Sequence, residues 1–307
     1  RWHQALMACY HPLLAYKTVE GKITFNAPVI FSKGFNLPCG QCTGCRLEYS
    51  RQWAIRNVHE AQMHEKSSFI TLTFNNESLN ARENPSSLNV RDFQLFMKKL
   101  RKKHKNIRFF HCGEYGSKNK RPHYHALIFG HDFPDKKLHT VENGFKLYKS
   151  HELQELWPYG FNLIGDITFK SAAYVSRYIM KKQKGKDSEK HYQQTDENGV
   201  VTTNKPEYCT MSRKPGIGAN WFKKYISDVY PHDYVIINGL KVRPPRYYDN
   251  LLAGTDKDNP SQEYLDLKER RKEKMPDVIE NYDENLDRLF VQEEVKIKQL
   301  ERLFREL

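Results

Sequence analysis

Two histidines one residue apart, His123 and His125, stand in the run HYHALIF that stops at Gly130. In a β-strand, residues two apart share a face. Both imidazoles therefore project side by side, and Tyr124, Ala126 and Ile128 take the opposite face. The aromatic-rich run from Ile107 to Glu114 reads as a second strand, ending in a Gly-Glu-Tyr-Gly turn composition. Paired as a hairpin across a basic loop carrying Lys118, Lys120 and Arg121, the two strands bring Glu114 near the histidines. Two imidazoles and a carboxylate make a three-ligand site with open positions, suited to a divalent cation that also holds a substrate. A His-x-His pair also occurs by chance, and purely structural histidines are the plain alternative. The loop cations favour the first reading, because they suit a polyanion.

A second set of reactive residues follows in SAAYVSRYIMKK. Ser171 is a good N-cap for a helix that ends in lysines. Tyr174 and Tyr178, four apart, share one helix face, with Lys181 and Lys182 on nearly the same stripe. A tyrosine face packed in the core beside solvated lysines is one reading. Beside a metal-binding strand, the other is a pair of phenolate nucleophiles presented to a phosphodiester, with either lysine helping to form the phenolate.

A third set is early: Cys9, then Cys39, Cys42 and Cys45 in CGQCTGC. The spacing suits a closed structural zinc site. Reduced free cysteines and an iron–sulfur cluster are the alternatives, and disulfides are not expected in a reducing cytosol.

The elements that must position these residues are readable in outline. Leu47–Glu65 reads as a helix and Phe69–Phe74 as a strand, with a polar loop at 76–88. Asn89 caps a helix from Val90 to His104, Asp92 sits at the capping-box position, and Phe93, Phe96, Met97 and Leu100 form the apolar stripe. Its end is crowded with Lys98, Lys99, Arg101, Lys102, Lys103 and Lys105. These cations either compensate the helix dipole or contact a phosphate backbone. Ser150 caps a short helix to Trp157, and Phe161–Thr168 is another strand. Strand, helix, strand, strand, helix, strand is the order of a ferredoxin-like split βαβ unit, an α+β fold whose central antiparallel sheet is flanked by helices.

Beyond it, Lys184–Asn204 reads as a loop and Tyr208–Arg213 as a strand. Gly216-Ile217-Gly218 before a helix at Trp221–Val229 is either a phosphate-binding turn or, more plainly, a turn. Asn238-Gly239 signals a hairpin, and Arg243, Arg246, Tyr247 and Tyr248 are candidate nucleic-acid contacts. Asp256–Gln262 looks like a linker. Leu286–Leu307 is an amphipathic helix that packs back on the chain or serves self-association or a host-protein contact. Three segments are expected: a Cys-rich start at 1–66, a central domain at 67–255 and a C-terminal linker and helix at 256–307.

The formal charge is +13 and the pI about 9.3. From Ser261 onward there are 13 acidic and 10 basic residues, leaving 40 basic against 24 acidic, +16, in residues 1–260. That part is where nucleic acid should bind. No apolar run reaches transmembrane length and no signal-peptide pattern opens the chain, so a cytosolic protein without membrane contact is expected. No G-x-x-x-x-G-K-[ST] run occurs, so a built-in helicase is not expected.

Taken together, PCGQCTGCR, FITLTF, FHCGEYGSKNKRPHYHALIFG, YVSRYIMKK and MSRKPGIG resemble the HUH endonuclease superfamily, named for His-hydrophobic-His. Within it they resemble the replication-initiation proteins of microviruses, of gokushovirus type. The resemblance covers roughly residues 7 to 250, so the first six residues are expected to be an extension.

It implies a rolling-circle initiator working in the cytoplasm of a bacterial host, on single-stranded and origin DNA, with host helicase and replication machinery supplying unwinding and synthesis. Glu114, His123 and His125 would hold Mg2+ or Mn2+, and one of Tyr174 and Tyr178 would take the 5′ phosphate and free a 3′ hydroxyl. The second tyrosine would then cleave the regenerated origin so that the released strand closes into a circle. Lys98, Lys99, Arg101, Lys102, Lys103, Lys118, Lys120 and Arg121 are the expected DNA-binding cations. Competing readings are another HUH enzyme such as a relaxase or transposase, a non-catalytic zinc-stabilised origin-binding protein, and a hydrolase of small phosphoesters. The last leaves the tyrosine pair and the charge excess unexplained.

Overall fold

A computed structural model of the chain describes residues 9–18, 20, 22–26, 34–116, 119–177, 188–195, 199, 201–256, 258–273 and 286–305. The chain divides into two compact units, one of residues 1–49 with 252–307 and one of Ser50–Leu251.

The first unit opens with β1 (Leu13–Lys17), paired antiparallel to β2 (Ile23–Thr24) and β3 (Phe35–Leu37). These strands are short and leave Leu13, Leu14 and Ile23 exposed. The buried cluster of this region is Cys9, Tyr10, Cys42 and Cys45, with Cys39 packed against it. Helix α1 (Thr43–Ala61) begins here, four residues before the expected start, so Cys45 lies in its first turn.

The second unit runs through β4 (Ser67–Thr73), α2 (Asn76–Asn80), α3 (Val90–Lys103), β5 (Arg108–Tyr115), β6 (Pro122–Phe129), β7 (Lys137–Glu142), β8 (Phe145–Lys149), α4 (His151–Leu156), β9 (Asn162–Gly165) and α5 (Phe169–Arg177). It continues through α6 (Ser188–Tyr192), β10 (Gln193–Thr195), β11 (Val201–Thr203), β12 (Tyr208–Met211), α7 (Ala219–Val229), β13 (Val235–Ile237), β14 (Leu240–Val242) and α8 (Arg246–Ala253), whose last residues fall in the first unit. Seven strands form one antiparallel sheet in the order β12-β5-β6-β4-β9-β8-β7. Within it, β4-α3-β5-β6-α4-β9 is the expected split βαβ succession. The β7–β8 hairpin is an addition at the edge. It turns at Asn143-Gly144, both with positive φ (50° and 79°), a conformation these two residue types adopt most readily.

Strand alternation gives the sheet two cores. On one face Ile70, Leu72, Tyr124, Ala126 and Ile128 pack against Phe93, Phe96, Met97 and Leu100 of α3 and Leu153 and Leu156 of α4. On the other, Phe110, Cys112, Leu127 and Phe129 meet Trp53 and Ala54 of α1 and Ala172 and Val175 of α5. Asn89 caps α3 as expected, accepting from the Arg91 N–H. Asp92 does not complete a capping box. Its carboxylate accepts instead from the Tyr124 hydroxyl at 2.6 Å and from Arg82 at 2.8 Å.

The Gly216–Gly218 turn is a structural turn, as the plainer reading has it. The Gly218 N–H donates to buried Glu60 at 2.7 Å, and Glu60 also holds Arg108, whose guanidinium reaches the Pro215 carbonyl at 2.7 Å. Burial pushes the Glu60 carboxyl up, but bonds from His64, the Gly218 N–H and Arg108 outweigh it and hold the group below its ordinary value. Glu60→Gln leaves Arg108 buried without its charge, so a loss of about 3 kcal/mol is expected in urea unfolding. Because the folded pKa is depressed, that contribution is present above the ordinary carboxylate value and lost as pH falls through the folded one. The gap between wild type and variant should therefore shrink in acid.

Tyr248 is a core residue rather than a nucleic-acid contact. It is fully buried, and its hydroxyl meets His59 Nδ1 at 2.8 Å.

The chain ends in α9 (Gln262–Glu273) and α10 (Leu286–Arg305). Glu293 of α10 accepts from the Thr43 N–H at 2.8 Å and meets His11 Nε2 at 2.5 Å, supplying the N-terminus of α1 with a carboxylate. Leu300 is buried, while Phe290 and Ile297 of the expected apolar stripe face solvent.

Candidate active site and metal centres

In the β5–β6 ladder Glu114 lies opposite His123, and Cys112 opposite His125. All three presumptive ligands share the face covered by α1 and α5. The two imidazoles converge on one oxygen: Glu114 Oε1 is 2.8 Å from His123 Nε2 and 3.0 Å from His125 Nε2. Glu114 and His125 are buried and His123 half-buried.

The other ring nitrogens are also engaged. His123 Nδ1 is 3.0 Å from the Arg121 carbonyl, and His125 Nδ1 is 2.9 Å from Thr71 Oγ1. A carbonyl only accepts, so His123 Nδ1 carries the hydrogen. Its Nε2 then either carries a second proton or aims a lone pair at the carboxylate. A divalent cation removes the lone-pair clash, and a backbone-oriented imidazole with its free nitrogen turned toward a carboxylate is a normal metal-site arrangement. The donor set therefore fits the expected cation. Burial would push the Glu114 carboxyl up, but hydrogen bonds and charge from His123 and His125 prevail and hold it well below the carboxylate range.

Tyr174 stands beside this group, its ring centroid 5.3 Å from that of His125 and 6.4 Å from that of Phe69. Ser171 is not the N-cap of its helix. The helix begins at Phe169, and Thr168 and Ser171 cap it reciprocally: Thr168 N–H donates to Ser171 Oγ at 2.8 Å and Ser171 N–H to Thr168 Oγ1 at 3.1 Å. Tyr178, Lys181, Lys182 and Lys118 lie outside the described residues.

The expected DNA-binding cations do not gather around the site. Helix α3 packs on the opposite face of the sheet, so Lys98, Lys99, Arg101, Lys102 and Lys103 are separated from Glu114 by the sheet itself. Arg101 donates to the Ile107 carbonyl at 2.9 Å, Lys103 pairs with Glu155 at 3.0 Å, and Lys99 lies over the Tyr159 ring. Arg121 is nearer the histidines but reaches the Phe74 carbonyl at 2.7 Å and Asn76 at 2.5 Å. Lys120 is exposed on the hairpin loop.

The histidine partner that the sequence reading missed is Thr71. Its signal was the alternation of FITLTF, which puts Phe69, Thr71 and Thr73 on the site face, with Thr71 opposite His125. Thr71→Val removes the oxygen that orients His125, and a 10- to 100-fold loss (about that order) in Mn2+ affinity is expected by titration calorimetry.

The early cysteines do come together. One sulfur from each of Cys9, Cys39, Cys42 and Cys45 lies within 4.8 Å of every other, and Cys42 Sγ is 4.0 Å from Cys9 Sγ. Tetrahedral zinc with sulfur at about 2.3 Å sets its sulfurs about 3.8 Å apart, so the set fits. Backbone N–H groups of Cys39, Cys42 and Tyr10 point at the sulfurs from 3.2 to 3.3 Å. Burial pushes the Cys9 and Cys45 thiols up; at Cys39 it is outweighed by N–H groups of Gln41 and Cys42, which lower the thiol.

With this geometry in hand, comparison with known proteins becomes informative. A family model for replication-associated protein ORF2 matches residues 67–183, which hold Glu114, His123, His125 and Tyr174. The replication-associated protein VP4 of Bdellovibrio phage phiMH2K is 35% identical over 258 residues, covering 80% of this chain and 76% of its own. The replication-associated protein ORF2 of Spiroplasma virus 4 is 31% identical over 294 residues, covering 88% and 87%. No solved structure matches the chain.

Proposed function

The chain belongs to the replication-associated proteins of phages and is a replication initiator, and from that premise we propose that it nicks its origin by tyrosine transesterification. The observation that carries the proposal is the convergence of His123 and His125 on Glu114 with the Tyr174 ring beside them.

Glu114, His123 and His125 would hold Mg2+ or Mn2+, which when bound polarises a phosphate oxygen and neutralises developing charge. Thr71 and the Arg121 carbonyl keep both imidazoles turned toward that position. The Tyr174 oxygen attacks the scissile phosphorus in line. A bond forms between that oxygen and phosphorus, the bond from phosphorus to the 3′ oxygen breaks, and the 3′ oxygen leaves as a hydroxyl after taking a proton. The 5′ phosphate stays on the tyrosine. Attack by a 3′ hydroxyl reverses the exchange and reseals a strand with no ATP, because the phosphotyrosine conserves the broken linkage. Tyr178 would act in the second exchange, allowing the released strand to close into a circle. Structural Zn2+ on Cys9, Cys39, Cys42 and Cys45 would complete the protein's metal complement.

The test uses a single-stranded origin oligonucleotide labelled at either end, with Mn2+ and then with EDTA, resolved on a denaturing gel. Metal-dependent attachment of the downstream label to protein is expected, with loss when Tyr174 and Tyr178 are both changed to Phe. Tight binding without a covalent product on several candidate origins overturns the enzyme in favour of a non-catalytic origin-binding protein.

A further inference from the structure

A second histidine–carboxylate cluster lies away from the candidate active site. His104 caps the C-terminus of α3, His131 follows Gly130 at the end of β6, and Glu152 sits in the first turn of α4. One ligand atom from each lies within 4.8 Å of the others. His104 Nε2 is 2.5 Å from Glu152 Oε1, and His131 Nε2 is 3.9 Å from Glu152 Oε2. The two rings lie 4.0 Å apart between centroids.

We propose that His104, His131 and Glu152 form a zinc-class divalent metal site distinct from the one at Glu114.

Three observations support it. The first is an unmet demand. His131 is 6% exposed, yet its Nε2 is buried and has no hydrogen-bond partner, although it faces a carboxylate. Buried polar atoms nearly always have a partner, so an orphan aimed into a cluster of ligands is informative. Burial also lowers the His131 pKa and so favours the neutral, ligating imidazole.

The second is the donor set. Two imidazole nitrogens and one carboxylate oxygen are a recurring three-ligand set for zinc, with water in the fourth position. At metal–ligand distances near 2.1 Å a tetrahedral ion sets its donors about 3.4 Å apart, inside the range these atoms span. Asp132 is next in sequence but is not the fourth ligand: it is held by Lys136 at 2.6 Å and by the Phe133 N–H at 2.9 Å. His104 is 34% exposed and leaves a path for water.

The third is placement. His123 and His131 bracket β6, with about 20 Å of strand between its first and last turns of side chain. Helices α3 and α4 pack on the sheet face opposite Glu114. A metal here would tie the end of α3, the end of β6 and the start of α4 together without touching the nuclease ligands.

The experiment counts metal. Full-length protein is stripped with a chelator, reloaded with Zn2+ in excess Mg2+, freed of unbound metal and assayed for zinc per chain. Glu152→Gln and, separately, His104→Gln should each bind one zinc fewer than wild type. With Co2+ in place of Zn2+, both variants should keep the sulfur-to-cobalt charge-transfer band of the cysteine cluster and lose visible ligand-field intensity. His104 is partly exposed, so its variant serves if the Glu152 change unfolds the protein. An unchanged zinc count in the folded variants overturns the proposal and leaves an ordinary histidine–glutamate pair. The count is independent of whether the protein nicks DNA.

Discussion

Glu114→Gln is expected to lower metal-dependent strand transfer about a thousandfold while the chain stays folded. The argument rests on a single atom. Glu114 Oε1 receives both imidazole Nε2 groups, so the carboxylate is the one negative charge in the ligand set. An amide of the same shape keeps an oxygen but removes that charge. Lewis-acid stabilisation of a phosphoryl transition state is worth several kcal/mol, and each 1.36 kcal/mol is tenfold in rate, so a loss near 4 kcal/mol gives about three decades. Single-turnover transfer at saturating Mn2+ reads the rate, and circular dichroism confirms the fold. Mn2+ should also raise the wild-type melting temperature and barely move that of the variant, since a ligand stabilises only what it binds. A variant that transfers at the wild-type rate would remove Glu114 from the site.

Stripping metal from Cys9, Cys39, Cys42 and Cys45 should unfold the start of the chain and spare the sheet. The buried cluster there consists of three of these cysteines and Tyr10, with the fourth packed against it. The neighbouring strands expose Leu13, Leu14 and Ile23 instead of burying them. A region with so small an apolar core depends on its metal, and zinc binding to small structural sites contributes about 10 kcal/mol or more of folding free energy at neutral pH. Amide hydrogen exchange is the measurement. With a zinc chelator, or in Cys42→Ser, residues 35–45 should exchange at near-unfolded rates while Ile70, Leu72 and Tyr124 stay protected. Unchanged protection at 35–45 in both cases would mean the cysteines hold no structural metal.

The most legible parts of the sequence were those governed by a strict period. Alternation put His123 and His125 on one face with Leu127 and Phe129, and Tyr124 and Ala126 on the other; hairpin pairing then fixed Glu114 opposite His123. The stripe of Phe93, Phe96, Met97 and Leu100 was equally plain, and all four are buried. Residues whose partners are distant in sequence were less legible. Asp92 looked like a local cap but bonds Tyr124, 32 positions away. Tyr248 looked like a surface aromatic, and its hydroxyl partner His59 is 189 positions away. Thr71 is an ordinary strand residue until β4 is known to lie beside β6. The charges on α3 were visible, but which sheet face the helix covers was not. The Asn143-Gly144 turn carried the same signal as Asn238-Gly239 and went unread, leaving the edge hairpin out.

The bond from Thr43 to Glu293 also says something about when parts of this chain can be finished. The carboxylate that completes the first turn of α1 is 250 positions downstream of the N–H it receives. At ribosomal rates of about 5 to 20 residues per second, it emerges roughly 10 to 50 seconds later. Every strand of the seven-stranded sheet lies between those two positions. The sheet can therefore close on the growing chain while α1 waits for its final cap, so a ribosome stalled before Glu293 would hold a complete sheet and an uncapped helix.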